Sequence, residues 1–302
     1  VIVDAFLYAG ETDMLELRVR TLGTIVDLFV PVICARTHQG DPVDLPAVHE
    51  SIDVAVGRVA DAGTVSEFGD RRRRGLVSHG FHFYATRWSI APYVVNPEPI
   101  PDGSRGGAGS RWYQFIERQH RDGIVRACDA AAVPADAVVC VSDVDEIPDP
   151  RAIAGLRGRV DDGDWFVLEQ RFHSTALDLL HPQQPWLGTT VTCRAALEPQ
   201  RMRDARGDRD LTGQVSHGGW HLSWFGTDVE RSRKLDSFSH AELRDLFDPA
   251  AARQHLVHAN GEQLRHLHVG EIGRLDWPAP IVDGSFPVPD HWWICPPPGR
   301  LP

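Results

Sequence analysis

A chain of 302 residues, 42% hydrophobic and 24% charged, has the balance of an ordinary globular protein, long enough for one large α/β domain or two small ones. A net charge of −11 argues against a surface built for nucleic acid, and no apolar run approaches the roughly 18 residues of a membrane span. Five widely spaced cysteines, none in a CxxC pair, argue against a zinc ribbon or a disulfide framework; Cys34 and Cys140 lie in apolar runs and read as reduced core residues, which fits a cytoplasmic protein.

The opening residues 1–4 carry neither a basic flank nor a small-residue cleavage site and do not read as a signal peptide. Residues 2–8 are apolar and β-prone, and Gly10 breaks the run. Asp13 and Glu16 have capping-box spacing, and Leu15, Val19 and Leu22 fall on one helical face that Gly23 ends. Residues 25–35 are almost continuously apolar, the pattern of a strand buried on both faces. A strand–helix–strand unit of this kind predicts a parallel sheet. From 57 to 109 the periodicity weakens, with Arg71 to Arg74 read as a solvated loop and 96–110 as a turn-rich connection. Residues 112–132 read as a helix with Phe115, Ile116, Ile124 and Cys128 on its buried side; Pro134 closes it, and 137–141 is a short buried strand. Further strands are expected at 165–168 and 188–193, with 169–185 mixed and polar. Residues 229–247 read as one or two helices, and the Pro-rich tail after Asp276 as a segment wrapped over the body. No repeat or linker divides the chain, so the expectation is a single α/β domain over 1–302, with a Rossmann-like, mostly parallel central sheet flanked by helices.

Directly after the strand at 137–141 comes Ser142-Asp143-Val144-Asp145-Glu146-Ile147-Pro148. Ligands of open α/β sheets bind beyond the carboxyl ends of the strands. Three carboxylates within four residues repel one another unless a cation or hydrogen-bond donors offset them, and hard carboxylate oxygens suit Mn²⁺ or Mg²⁺. Three other readings stand beside a metal-assisted nucleotide-sugar transferase. One is an acidic loop in which Asp143 or Asp145 caps a helix. Another is a phosphatase of the haloacid dehalogenase type, with Asp143 as nucleophile; it expects Gly and then Thr or Val after D-x-D near the N-terminus, whereas Glu146-Ile147 follows here in mid-chain. The third is a non-catalytic carbohydrate-binding protein using the nine tryptophans as stacking platforms. Lys234 is the only lysine among 31 Lys and Arg residues, which marks it as a position where an ammonium is wanted.

Three blocks together resemble glycosyltransferase family 17, the β-1,4-mannosyl-glycoprotein β-1,4-N-acetylglucosaminyltransferases and their bacterial relatives. The first is Asp4-Ala5-Phe6-Leu7-Tyr8 through Glu11, Leu15, Glu16 and Arg18 to Val26-Asp27-Leu28-Phe29-Val30. The second runs from Arg121-Asp122-Gly123-Ile124 to the acidic cluster. The third is Gly219-Trp220-His221-Leu222-Ser223-Trp224-Phe225 followed by Lys234. The resemblance implies a GT-A fold, a divalent metal, a UDP-sugar donor and inversion at the anomeric carbon, with a small molecule or glycan as hydroxyl acceptor. It also implies a site. Asp143 and Asp145 are expected to hold the metal, completed by a histidine for which His221, His240 and His268 are eligible and His221 is preferred. Glu146, Glu169 and Lys234 are the catalytic candidates, with Glu11 and Arg121 as further candidates for the base. Phe6, Glu11, Ala35, Thr37, Arg121, Asp143, Trp220, Lys234 and His240 are the candidate donor contacts, and Trp220 and Trp224 either stack on sugar or pack in the core. The eukaryotic relatives are membrane-anchored Golgi enzymes and 57–109 matches nothing in the family, so an N-glycan acceptor is not carried over.

Overall fold

The computed structural model describes residues 1–60, 88–98, 112–199, 201–202, 211–237, 263–272 and 276–295. In chain order these form β1 (Ile2–Tyr8), α1 (Thr12–Leu22), β2 (Leu28–Cys34), α2 (Leu45–Val59), β3 (Ser89–Ile90), β4 (Tyr93–Val95), α3 (Trp112–Ala130), β5 (Val138–Asp143), β6 (Glu146–Pro148), α4 (Pro150–Leu156), β7 (Trp165–Ser174), β8 (Leu179–Leu180), β9 (Trp186–Cys193), β10 (Gly213–Ser223), α5 (Asp228–Ser237), β11 (Arg265–His266), α6 (Val269–Ile272) and α7 (Ala279–Val282).

β1 explains the layering. Side chains alternate across a strand, so Ile2, Phe6 and Tyr8 enter the core that α1 and α2 cover, while Val3, Ala5 and Leu7 enter a second core with Ile124 and Cys128 of α3. Helices thus cover both faces, and the sheet is mixed and mostly parallel. Its main path runs β11-β8-β7-β9-β5-β1-β2-β3. β1 is parallel to β2 on one side and to β5 on the other, whereas β9 runs antiparallel to both β5 and β7. The chain leaves β1 for β2 and later returns on the opposite side as β5, which makes the β1–β5 boundary a topological switch point.

Several boundaries differ from the sequence expectation. Glu11, not Asp13, is the N-cap of α1. Glu16 does not reach back to a capping position because Arg20 (2.8 Å) and Arg58 (3.3 Å) hold its carboxylate. β2 starts only at Leu28, since the Ile25 and Val26 amides both turn onto the Leu22 carbonyl at 2.9 Å. α2 lies in sequence to which no element had been assigned; Asp44 caps it through the Ala47 amide (3.2 Å), with a proline in its first turn. β7 extends to Ser174 through residues that read as polar connection, because Gln170 is paired inside the sheet with Thr189 (3.1 Å). The tail does pack on the body: Trp277, Ile281, Phe286 and Trp292 are buried in the main core. Arg71 to Arg74 and residues 238–247 lie outside the described residues. The five cysteines are free, four of them buried, and among the described residues no helix is long and apolar enough to cross a membrane.

His173 of β7 is fully buried and packs against Trp277 at 4.9 Å. Burial pushes its pKa down to about 3, from an ordinary 6.5. Between those values the unfolded chain binds the extra proton, so stability rises with pH across the window and falls on acidification. The expected slope from this side chain is about 1.4 kcal/mol per pH unit. Denaturant unfolding of wild type and His173→Gln from pH 7 down to pH 4 should give a shallower dependence for the variant.

Candidate functional site at the switch point

A cleft of about 1160 Å³ opens at the carboxyl ends of β1, β2 and β5 and reaches across to the end of β10 and to α5. Among the described residues its lining carries ten carboxylates (Glu11, Asp13, Asp41, Asp44, Glu117, Asp143, Asp145, Glu146, Glu230, Asp236) against four Arg and Lys side chains (Arg36, Arg121, Arg233, Lys234). Such an excess of one sign favours binding of cations.

The acidic turn is built on a buried arginine. Arg18, on the inner side of α1, makes a two-pronged pair with Asp4 of β1 (2.7 Å each) and donates to Ser142 Oγ at 2.6 Å. Its Nη1 also donates to the backbone carbonyls of Asp143, Val144 and Glu146, each at 3.0 Å. Beneath it the Phe6 ring lies 4.5 Å from the guanidinium carbon. Converging carbonyls repel one another, and the guanidinium is the donor that allows them to meet. Neither Arg18 nor Asp4 had been singled out for a role. The signal was present, since each is a charge set into an apolar face, of α1 and of β1.

Glu146 is the second fastening. It is fully buried, accepting from the Trp186 indole N–H at 2.9 Å with one oxygen and from the Asp143 amide at 3.0 Å with the other. Its backbone carbonyl also accepts from Thr189 Oγ1 at 3.1 Å. A carboxylate held on both oxygens is a clamp for the turn, an arrangement that counts against Glu146 as one of the candidate bases.

Asp143 and Asp145 face the cleft. Asp143 is held by Arg121 of α3 through two contacts (2.9 and 3.3 Å), and Arg121 also meets Glu117 at 3.2 Å. Asp145 accepts from Lys234 Nζ at 3.1 Å, and its other oxygen lies 3.8 Å from His221 Nε2. Burial alone would lower the Lys234 pKa, but Asp145 and Glu11 outweigh it and the net shift is upward, so the ammonium stays charged. Burial lowers the His221 pKa against the pull of Asp145 and Glu146, so this imidazole is neutral. Burial raises the Glu11 pKa, with Lys234 opposing. Lys234 also lies 5.6 Å from the ring of Trp224. Trp224 takes a left-handed φ of 61°, a conformation that costs a bulky residue about 1–3 kcal/mol and is found at functional sites.

The cleft therefore gathers Glu11, Thr37, Arg121, Asp143, Asp145, Glu146, His221 and Lys234 from the sequence candidates. Phe6 does not reach it, being fully buried under Arg18. Trp220 points to the other face of β10 from His221 and donates to the Asp276 carbonyl at 2.6 Å, so it is a core residue, whereas Trp224 lines the cleft. Glu169 lies well before the end of β7 and accepts from Ser216 Oγ at 2.8 Å, outside the cleft. Ala35 is taken up by backbone pairing with Val95 (2.8 Å) and Val43 (3.0 Å), and its neighbours Cys34 and Arg36 line the wall in its place. His240 lies outside the described residues, and His268 stands beside His266, away from the cleft. Sequence reading missed an aromatic wall: Phe172 stacks on His221 (4.3 Å) and on His181 (4.0 Å), with Trp186 4.7 Å from His221. Nothing in the spacing of these four residues marks them as neighbours.

Do these residues suit a hard divalent cation? Two ligands about 2.1 Å from one ion stand roughly 3–4 Å apart. Asp145 and His221, 3.8 Å apart and too distant for a hydrogen bond, fall within that range. The His221 Nδ1 is buried with no hydrogen-bond partner among the described residues. Asp143 is held by Arg121 instead, and the ligand atoms of Asp143, Asp145 and His221 do not all lie within 4.8 Å of one another. The set is open, with two or three protein ligands, and Mg²⁺ and Mn²⁺ take such a form when substrate oxygens and water complete the shell. A trio whose ligand atoms already lie within 4.8 Å of one another occurs elsewhere among the described residues, at Asp178, His266 and Cys295. Comparison with known proteins adds no assignment: no protein-family model matches the chain, and no curated protein matches it in sequence.

Proposed function

We propose that the chain is a metal-dependent, inverting glycosyltransferase of GT-A type, similar to family 17, that moves a sugar from a UDP-sugar to a hydroxyl acceptor. The observation that carries this reading is the pair Asp143 and Asp145 facing an acidic cleft at the switch point of a parallel sheet, with Lys234 and His221 opposite. Asp143, Asp145 and His221 would hold Mn²⁺ or Mg²⁺, which when bound neutralises the diphosphate leaving group. Lys234 stays protonated beside Asp145 and supplies a second positive charge toward the departing phosphate. Arg121, released from Asp143, supplies a third. Glu11 is the proton acceptor that fits best: it lines the cleft, and its raised pKa makes it a stronger base once ionised. Trp186, half-buried on the cleft wall, offers an indole face for a sugar ring.

Isothermal titration of the full chain with UDP, with and without Mn²⁺, tests the reading. Binding is expected only with the metal. If no nucleoside diphosphate binds in its presence, the proposal fails. Hydrolysis of an aryl phosphate that Asp143→Asn removes would point to the phosphatase instead, and sugar binding indifferent to metal and nucleotide would point to a carbohydrate-binding protein.

A further inference from the structure

Asp178, His266 and Cys295 come from three separated parts of the chain: the approach to β8, the end of β11, and the C-terminal segment. Their ligand atoms lie within 4.8 Å of one another. Asp178 is fully buried, and its carboxylate accepts from the amides of Ile294 (2.9 Å) and Cys295 (2.8 Å) and faces His266 Nε2 at 3.2 Å. Among the described residues, His266 is the only cationic partner within ion-pairing distance, and only when protonated. Cys295, the one exposed cysteine, sits at the outer side of the group.

We infer that Asp178, His266 and Cys295 form a zinc-binding site, separate from the cleft, that ties the C-terminal segment to β8 and β11. A thiolate, an imidazole and a carboxylate are the ligand types that zinc accepts in tetrahedral sites, and the soft sulfur selects against Mg²⁺ and Mn²⁺. The fourth position falls to water or to His268, whose ring centroid is 6.2 Å from that of His266. Backbone bonds already bring the three segments together, with Leu267 N–H on the Asp178 carbonyl and Leu177 N–H on the Trp292 carbonyl, each at 2.8 Å. Behind them Ala176, Leu179, Leu264 and Ile294 form a small apolar cluster. Zinc would replace the His266–Asp178 hydrogen bond with bonds to both residues and lock the exposed thiol as thiolate.

The test uses the full chain, stripped with a chelator and titrated with Zn²⁺ against a chromophoric competitor. One tight equivalent is expected, and Cys295→Ser and His266→Ala should each weaken it by at least about tenfold. Cys295 is exposed and His266 half-buried, and circular dichroism checks that each variant folds. Co²⁺ in place of Zn²⁺ should give a thiolate-to-cobalt charge-transfer band that Cys295→Ser removes, the other four cysteines being buried. Zn²⁺ should also slow alkylation of Cys295 in the wild type. Failure of the wild type to bind Zn²⁺, or wild-type affinity in either variant, overturns the inference. None of these readouts involves UDP or Mn²⁺, so the site in the cleft can stand or fall independently.

Discussion

Asp145→Asn is expected to lower sugar transfer by about 10³-fold or more, with the fold unchanged. The substitution keeps the shape of the side chain and removes the charge that faces Lys234 and His221. Loss of one electrostatic stabiliser of a transition state costs about 10²–10³-fold. Here the same carboxylate would also hold the metal, so the loss should exceed that range, and metal-dependent UDP binding should disappear with it. The turn should survive because its backbone carries the structure: the Asp145 carbonyl accepts from the Leu222 amide at 2.8 Å, and Arg18 grips the neighbouring carbonyls. Steady-state transfer, with an unfolding curve as control, decides the matter. Retained turnover in a folded variant would mean that the acidic cluster serves another purpose.

Arg18→Met should act in the opposite way, on stability first. Arg18 and Asp4 are both fully buried. Removing one partner of a buried ion pair leaves an uncompensated charge and costs about 3–5 kcal/mol. That is a large share of the roughly 5–15 kcal/mol that holds a typical domain together. Three turn carbonyls and the Ser142 hydroxyl would lose their donor as well. In the double variant Arg18→Met/Asp4→Leu the orphaned carboxylate is gone, so its cost should fall clearly short of the sum of the two single ones. Urea unfolding of the four proteins measures this coupling, and a single-variant loss below about 1 kcal/mol would contradict the role given to Arg18.

The parts of the fold that could be read from sequence were those where apolar pattern and burial coincide. β1, the inner face of α1, and β5 follow from their hydrophobic runs, and the cluster at Asp143 was placed correctly because it directly follows such a run. What escaped was polarity satisfied at long range. The second half of β7 looked like a connection because Gln170, His173 and Ser174 are polar, yet all three are fully buried there. Glu146 stands at ligand spacing beside Asp145, but partners about 40 residues away turn it inward. Trp220 and Trp224 lie in one aromatic block, and only the strand's alternation and the left-handed turn at Trp224 separate core from cleft. Glu169 followed an apparent strand end that was in fact mid-strand. The rings that hold His221 come from β7 and β9, and their meeting depends on a register that local pattern does not encode.

That register reaches further. β6 runs antiparallel against β10, with Trp220 opposite Ile147 and His221 opposite Glu146. The acidic turn and the Gly-Trp-His block, more than seventy residues apart in sequence, are therefore two edges of one ladder. A ladder has a phase: sliding β10 by one residue would present Trp220 or Leu222 to the carboxylates and turn His221 into the core. Gly219 keeps the phase, because at φ +136° an added Cβ would lie 2.2 Å from the Ile147 carbonyl. On its other side β10 runs parallel to β7, and there the pairing breaks step between Val215 and Gly219, which leaves room for an added residue without moving His221. What has to be kept is the count from Gly219 to His221, which holds His221 opposite Glu146.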